Sequence, residues 1–173
     1  MIKFHPLWTF SKIRFQYENV RNERTTIGVL GSLHYAWFKG IQIGPQLRYY
    51  FGKHDAPKGA YLQLQAQVFS MQCTHTFFVN YANYQDEFTQ TKRASGYGAG
   101  FGIGKQWLLG NHENIVIDLM FGLKYHRIPA NAFFFSHTDK NGVYHEDDSP
   151  RNVWYVLGPG SIFNNHLGIG ILF

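Results

Sequence analysis

The sequence is poor in charged residues and contains a single cysteine. Asp, Glu, Lys and Arg make up 16% of its 173 residues, against about 25% in a typical soluble domain. Cys73 alone cannot form an internal disulfide bond, so no disulfide framework supports the fold. The net charge of +5 comes from basic residues that are scattered singly. Without a basic run we expect no nucleic-acid partner.

Long apolar runs are also absent, although two stretches contain no Asp, Glu, Lys or Arg. Residues 60–85 carry Gln at alternate positions, and residues 152–173 contain Pro159 between two glycines. Neither composition suits a membrane-spanning helix, which needs about 20 consecutive apolar residues. Residues 1–6 lack the apolar run of a secretory signal peptide, as expected for a mature exported chain or for a cytoplasmic one.

What the sequence has instead is an alternation of apolar residues with small or polar ones. Residues 161–173 show it most clearly, because one face of the predicted strand is apolar and the other is not. The apolar face consists of Leu167, Ile169, Ile171 and Phe173. An alternating strand with Gly168 and Ile171 that ends on Phe173 resembles the C-terminal assembly signal of outer-membrane β-barrels, which the barrel assembly machinery reads during insertion.

The same alternation predicts eight strands, an even number, as closed bacterial membrane barrels require. We expect them at residues 2–10, 12–19, 25–37, 41–51, 61–68, 96–109, 115–126 and 161–173. The connections after the second, fourth and sixth strands are short, whereas residues 74–93 and 129–160 are expected to form long, irregular loops without a helix of useful length. The predicted fold is therefore one all-β domain, residues 1–173: an eight-stranded, antiparallel, up-and-down transmembrane β-barrel with short periplasmic turns and two long extracellular loops.

A soluble eight-stranded barrel of the lipocalin type is the competing all-β interpretation. Its outer face should be rich in Lys, Glu, Asp and Thr, but the polar face here is mostly Gly, Gln and His, which suits a packed polar lumen better. Aromatic residues near the predicted strand ends also favour the membrane barrel, because aromatic girdles lie at both membrane interfaces. These residues are Trp8, Trp37, Tyr49, Phe51, Trp107 and Tyr125.

Several motifs together resemble a family of uncharacterised outer-membrane barrels, OmpA/OmpX-like in size and common in Bacteroidetes-type Gram-negative bacteria. They lie at residues 5–7, 15–18, 43–51, 56–61, 102–107 and 117–123. The most specific are Arg48-Tyr49-Tyr50 and the following block at residues 56–59, Ala-Pro-Lys-Gly. The resemblance implies an eight-stranded barrel in the cell outer membrane, and it implies no activity, catalytic residue or cofactor.

Five charged residues fall on the polar face of the predicted strands, and we expect them to form a network in the lumen. They are Arg14, Glu18, Arg48, Asp118 and Lys124. An unpaired buried charge is costly, so a narrow lumen favours paired charges. An ion path or gate is the functional interpretation. A structural plug is the alternative, and we favour it because the side chains inside an eight-stranded barrel just fill it.

Glycines alternate along the sixth predicted strand, at residues 96, 98, 100, 102 and 104. A phosphate-binding glycine loop must be followed by a helix, and none is predicted here. Their period of two indicates instead a strand with one bare face, which leaves room for bulky lumen neighbours such as Tyr50, Tyr61 or Phe69.

The nine histidines raise the question of a metal site or an active site. No helical metal-binding spacing is present. The polar group at residues 137–148 (His137, Asp139, His145, Glu146, Asp147 and Asp148) is expected to be a solvated loop. A lipid-modifying enzyme would need a His, Ser and acid set, for which His126, Ser136 and His137 with Glu146 or Asp147 are the candidates. We predict no catalytic, cofactor or metal residue, but keep such an enzyme, similar to lipid A deacylases, as an alternative.

Aromatic residues in the two long loops are the remaining candidates for function. They include Phe77, Phe78, Tyr81, Phe133, Phe134 and Phe135. Aromatic residues exposed to water are a liability unless they pack together or against a partner. We therefore expect a docking surface, and a barrel that serves as an accessory subunit or scaffold in an outer-membrane complex, in contact with lipid and with protein partners.

Overall fold

The structure is a computed structural model that describes residues 1–6, 9–52, 54–80, 85–139, 142–156 and 158–173. It contains ten strands and one short helix in the described residues. The strands are β1 (Ile2–Phe4), β2 (Lys12–Asn22), β3 (Thr25–His34), β4 (Phe38–Phe51), β5 (Gly59–Asn80), β6 (Gln85–Leu109), β7 (Ile115–Arg127), β8 (Phe135–Thr138), β9 (Tyr144–Asp147) and β10 (His166–Ile171), and the helix is α1 (Ser149–Val156).

Eight of the strands form a closed ring in which every neighbour is antiparallel. The hydrogen-bonded order is β1-β10-β7-β6-β5-β4-β3-β2, and β8 pairs only with β9. β1 pairs with β10 through Ile2 and Ile171, so both chain termini lie at one end of the ring. We call this the terminal end, where β2 is followed by β3, β4 by β5 and β6 by β7. The opposite, loop end holds the segment between β7 and β10.

Side chains in the ring are polar inside and apolar outside. On β4 the burial alternates along its whole length, with Gln42, Gln46 and Arg48 buried while Ile43 and Leu47 are exposed. The alternation follows from the pleat, which points successive side chains to opposite faces of a sheet. The apolar face found by sequence is therefore the outer face of the ring.

The described residues of this region, 74–80 and 85–93, are strand, whereas the sequence predicts a long loop over residues 74–93. β5 and β6 continue as a two-stranded projection beyond the ring, in register from Cys73 and Lys92 to Asn80 and Gln85. The outer face of this projection carries paired threonines, as at Thr74 and Thr91, whose hydroxyl oxygens lie 2.9 Å apart. On its inner face Phe77 joins an apolar cluster, next to polar side chains such as His75.

The segment between β7 and β10 is also more ordered than predicted, because it contains the β8–β9 hairpin and α1. Its residues close the loop end of the ring. Trp154 of α1 is fully buried and packs against Phe38, Phe69 and Phe133, with ring centroids 5.1 to 5.2 Å apart. The described part of the chain contains no helix with the length and hydropathy needed to span a lipid bilayer.

A partly buried contact between His75 and Asp147 attaches the β8–β9 hairpin to the inner face of the projection. The Asp147 carboxylate lies 2.7 Å from Nε2 of His75 and accepts a hydrogen bond of 2.7 Å from the backbone nitrogen of Ser149. Burial raises the pKa of Asp147, but these hydrogen bonds outweigh it, so the pKa lies below its ordinary value. The carboxylate is therefore ionised at neutral pH and holds the hairpin against β5.

Candidate functional site

Four charged side chains meet in the interior of the ring, nearer its terminal end. Lys3 Nζ lies 2.8 Å from Glu18 Oε2 and 2.7 Å from Asp118 Oδ2. Arg48 Nη1 lies 3.2 Å from the same Glu18 oxygen and 2.7 Å from the same Asp118 oxygen. All four side chains have no solvent exposure. Two cations and two anions thus form a neutral, closed square, which we call the ion cluster.

Neutral side chains complete the hydrogen bonding of the ion cluster. The Tyr50 hydroxyl donates a hydrogen bond of 3.0 Å to Glu18 Oε1, and the Tyr61 hydroxyl donates to Asp118 Oδ1. The Arg48 guanidinium stacks 4.2 Å above the centre of the Tyr61 ring. Further partners are Gln16, Thr26, Gln63 and Gln106.

The pairing of the four charges explains how the ion cluster is tolerated inside the ring. Buried charges are tolerated when they are paired and their remaining hydrogen-bonding positions are filled, and both conditions hold here. The contacts join β1, β2, β4 and β7, so the cluster links strands from across the ring.

The lumen network predicted from sequence differs from the ion cluster in three members. Glu18, Arg48 and Asp118 meet as expected, and Lys3 joins them although it was not among the predicted members. Arg14 and Lys124 point inward but lie nearer the loop end. Arg14 Nε donates a hydrogen bond of 3.2 Å to Ser32 Oγ, and Lys124 Nζ donates one of 2.9 Å to the Pro159 carbonyl.

The predicted residues that stay outside the ion cluster lie at a different height along the axis of the ring. Arg14 and Glu18 are both inward on β2, but they are separated by Gln16, the next inward position. Alternation shows which way a side chain points, whereas the register between strands decides which inward residues lie at the same height. The sequence contains a signal for Lys3 as an inward residue, because it lies between the apolar residues Ile2 and Phe4 of β1.

The alternating glycines of β6 face the interior and accommodate large neighbours. A Cβ at Gly104 would lie 2.5 Å from the Tyr61 ring, and one at Gly96 would lie 2.7 Å from the Phe69 ring. His126 fills the space beside Gly98 in the same way. The bare face of this strand therefore makes room for the side chains that fill the ring.

The histidines considered for metal binding or catalysis are dispersed. His126 contacts Gln42 and Gln67 inside the ring, while His137 stacks on Phe88 in the projection with ring centroids 3.8 Å apart. His145 pairs with Asp139 at 3.2 Å. Within the described ranges, no three His, Cys, Asp or Glu side chains converge as metal ligands would.

The aromatic residues predicted to form a docking surface are largely internal, which corrects that prediction. Phe133 and Phe135 have no exposure and Phe77 has 8%, since all three pack into the apolar cluster that closes the loop end. Phe134 is half-buried, and Phe78 remains 62% exposed. The sixth member, Tyr81, lies outside the described residues.

The residues of the predicted assembly signal lie at the terminal end of β10. Gly168 faces inward, where a Cβ would lie 3.0 Å from His5 Cε1. Ile171 is 62% exposed on the outer face, and Phe173 follows the strand with 79% exposure. The three residues thus occupy the last strand and the residues just after it.

A family described as protein of unknown function (DUF3575) matches residues 7–156. The matched range takes in β2 to β9 and α1, but not β1 or β10, the two strands at the seam of the ring. Neither a search of curated proteins nor a search of solved structures returned a match. Since the matched range covers more than half of the sequence, the chain belongs to this family of proteins of unknown function.

Proposed function

We propose that the protein is an outer-membrane β-barrel that serves as a structural accessory subunit or docking scaffold. The observation that carries this proposal is the sidedness of the ring, with charges inside and large apolar residues outside. Outward residues such as Leu64, Phe101 and Ile103 are 59%, 59% and 54% exposed. An apolar surface of this extent is a liability in water but suits the hydrocarbon core of a bilayer.

The height of the apolar band supports the same proposal. On β6 the outward aromatic residues Tyr97 and Trp107 mark the two borders of the band. Their separation in sequence corresponds to roughly 33 Å along the strand and about 25 Å along the axis of a barrel with ordinary strand tilt. Transmembrane β-barrels carry an apolar band about 25 Å tall with aromatic girdles at its borders.

The asymmetry of the connections gives the orientation. The connections at the terminal end are short, and the projection and the segment between β7 and β10 lie at the loop end. Bacterial outer-membrane barrels have short periplasmic turns and longer extracellular loops. The loop end is accordingly extracellular, and the strand that ends near Phe173 presents the assembly signal on the periplasmic side.

A scaffold role follows from how the interior is filled. The ion cluster closes the ring near the terminal end, and Trp154 with its aromatic neighbours closes the loop end. These side chains join opposite strands where a channel or an active site would need space. The β5–β6 projection, with Thr74, Thr76 and Thr91 on its outer face, then remains as the part that reaches beyond the membrane to a partner.

Refolding into detergent micelles, followed by gel electrophoresis in SDS with and without boiling, tests the barrel itself. We expect faster migration of the unboiled protein, because a closed barrel resists SDS at room temperature, and aggregation when detergent is withheld. A monodisperse, β-rich monomer in plain buffer would contradict the membrane proposal.

Replacing the projection tests the docking role separately. A variant in which a two-residue Asn-Gly turn replaces residues 74–91 keeps the outward apolar band and the ion cluster intact. We expect this variant to keep its heat-dependent gel mobility but to leave the larger complex that the full chain forms on native gels of outer membranes. Equal complex size for both proteins would contradict docking through the projection while leaving the barrel unaffected.

A further inference from the structure

A basic cavity of about 210 Å³ lies at the loop end of the ring. Three cationic side chains line it, Lys12 and Arg14 from β2 and Lys124 from β7. None of the residues that line it is an Asp or a Glu. The cavity therefore gathers positive charge in a place where the described side chains supply no counter-charge.

The cavity lies at the seam of the ring, where regular strand pairing is interrupted. β10 pairs with β7 only as far as Met120. From there toward the loop end, a single bridge between Leu123 and Phe163 continues the pairing with β7 in the described residues. β1 ends opposite Phe15, and the last described backbone contact beyond it is a hydrogen bond of 3.1 Å from the His5 nitrogen to the Arg14 carbonyl oxygen. The basic side chains of β2 and β7 thus flank a gap left by the two shortest strands of the ring.

Several polar groups in the cavity lack partners in the described structure. The ammonium of Lys12 makes no hydrogen bond or ion pair there, and the only acceptor for the Arg14 guanidinium is Ser32 Oγ. Asn164 is 2% exposed, yet neither its amide nitrogen nor its amide oxygen has a partner. Nε2 of the buried His34 is also unpartnered. Buried polar groups are normally hydrogen-bonded, so these unpartnered groups next to three cations point to a site for a polar ligand.

We propose that this cavity binds a phosphate group. Three cations exceed the charge of a single carboxylate, and Arg and Lys side chains together provide several charge-assisted donors suited to phosphate oxygens. The amide of Asn164 and the ring of His34 supply further neutral donors. The volume is below the 300–1,000 Å³ that is usual for drug-sized ligands, so it suits one headgroup or a free anion.

The rim of the cavity favours a phosphate that belongs to a lipid. Trp37 and Phe163 line the cavity with 63% and 62% exposure, and Val156 is 68% exposed. An acyl chain attached to the bound phosphate can lie along these apolar side chains while the charge remains inside. The lipid source rests on the proposed membrane location, whereas the phosphate site itself does not.

Titration calorimetry of the protein refolded in maltoside micelles tests the site. The probes are inorganic phosphate, dihexanoyl phosphatidic acid and, as a phosphate-free match, dihexanoylglycerol. The variants are Lys124→Met and Lys12→Met, each of which removes one cation and keeps most of the side-chain volume. Lys39→Met is the control, because Lys39 is exposed at the same end of the ring and does not line the cavity.

We expect phosphatidic acid to bind, and either cavity variant to weaken it roughly tenfold or more, as the loss of one charge-assisted hydrogen bond does. The Lys39 variant should bind like the original protein. Tighter binding of phosphatidic acid than of inorganic phosphate supports the lipid source, and equal binding supports a free anion in the same site. No binding of either probe, or equal binding of dihexanoylglycerol, would overturn the proposal.

Thermal unfolding separates the loss of the site from a failure to fold. Without phosphate the Lys124→Met variant should unfold at a higher temperature than the original protein, since it removes repulsion among three cations that have no anionic partner among the described residues. Phosphate should then raise the unfolding temperature of the original protein more than that of the variant. A variant that is less stable and whose unfolding temperature rises as much with phosphate would contradict the phosphate site. Heat-dependent gel mobility shows independently whether the variant forms the barrel.

Discussion

The four buried charges of the ion cluster share their contacts, so each of them stabilises the others. Glu18 and Asp118 each contact both Lys3 and Arg48, so the loss of one anion leaves two buried cations with a single partner. Exposed ion pairs behave differently, because water compensates each charge when its partner is lost. The pair between Lys58 and Glu113, with side chains 34% and 54% exposed, is such a case in the same chain.

The Glu18→Gln variant should therefore lose about 3–5 kcal/mol of stability, the usual cost of removing one partner from a buried ion pair. Urea unfolding of the refolded protein, followed by tryptophan fluorescence, measures the change. The Glu113→Gln variant is the control and should change stability by less than about 1 kcal/mol. Equal effects of the two substitutions would show that the ion cluster is open to water.

Glycines of the ring also differ sharply in what surrounds them. A Cβ at Gly104 would meet the Tyr61 ring at 2.5 Å and the Leu119 carbonyl oxygen at 2.6 Å, so both must move. A Cβ at Gly31 has nothing within 4 Å. Gly31 pairs with Phe15 and Ile43, two outward residues, which places it on the outer face.

The Gly104→Ala variant should lose about 1–3 kcal/mol because of overpacking. The Gly31→Ala variant should be neutral or slightly more stable, since glycine is unfavourable inside a strand. Urea unfolding of the two variants under the same conditions measures the difference. If both substitutions have the same effect, the inward glycines of β6 do not make room for Tyr61.

The residues of the interior were partly predictable from sequence. Alternation correctly predicts that Glu18, Arg48 and Asp118 face inward. It cannot predict that Arg14 lies too far along β2 to join them, because that depends on the register and tilt of strands distant in sequence. The same limit separates Lys124 from the ion cluster and places it with Arg14 beside the basic cavity.

At the scale of elements, the projection shows why residues 74–93 were expected to form a loop. The inward positions of β5 change from Gln63, Gln65 and Gln67 to Phe69 and Met71 near the border of the apolar band. The strand pleat continues into the projection, but apolar residues no longer keep to one face, since threonines lie outside and Phe77 lies inside next to His75. A pattern defined by hydrophobicity is interrupted at such a change although the strand continues.

The closure of the loop end was not predictable for a related reason. α1 has 8 residues and begins after a hairpin with only 4 residues in each strand. Elements this short have weak periodicity, and they are ordered by packing against the ring. Trp154 provides most of that packing, since it contacts Phe38 and Phe69 of the ring as well as Phe133 of its own segment.

The Trp154→Ala variant should therefore release the segment between β7 and β10 without opening the ring. Removing a fully buried Trp costs about 3–5 kcal/mol of stability. We expect this loss to exceed the free energy that holds so short a segment on the ring. Limited trypsin digestion of the refolded protein should then cleave faster at Arg151 in α1. Heat-dependent gel mobility should persist, because the strand pairing of the ring is unchanged.

The control for this experiment is Tyr155→Ala, the neighbouring position on the same helix. Tyr155 is 38% exposed and Trp154 is fully buried. The control variant should be cleaved at the original rate. Equal cleavage of both variants would show that the segment is not held by the Trp154 contacts.

At the scale of the whole molecule, the chain has two regions that differ in the polarity of their outer faces. In the ring, most outward residues are apolar and most inward residues are polar; in the projection and the segment between β7 and β10, a large apolar cluster lies inside. The outer face of β5 changes in the same region, from Leu62, Leu64 and Val68 to Thr74 and Thr76. A protein that crosses a bilayer must change the polarity of its outer face where the membrane ends.

Cysteine labelling along the outer face of β5 tests this membrane placement most directly. Cys73 is the only cysteine, so Cys73→Ser gives a background for adding Leu64→Cys or Thr74→Cys. Both positions are exposed on the same face of β5, with Leu64 inside the apolar band and Thr74 beyond it. With the protein in lipid bilayer discs, which leave both membrane faces open, a charged maleimide should react at position 74 but not at position 64 until the barrel is denatured. Equal labelling at the two positions would contradict the membrane barrel, because it would place the apolar band in water.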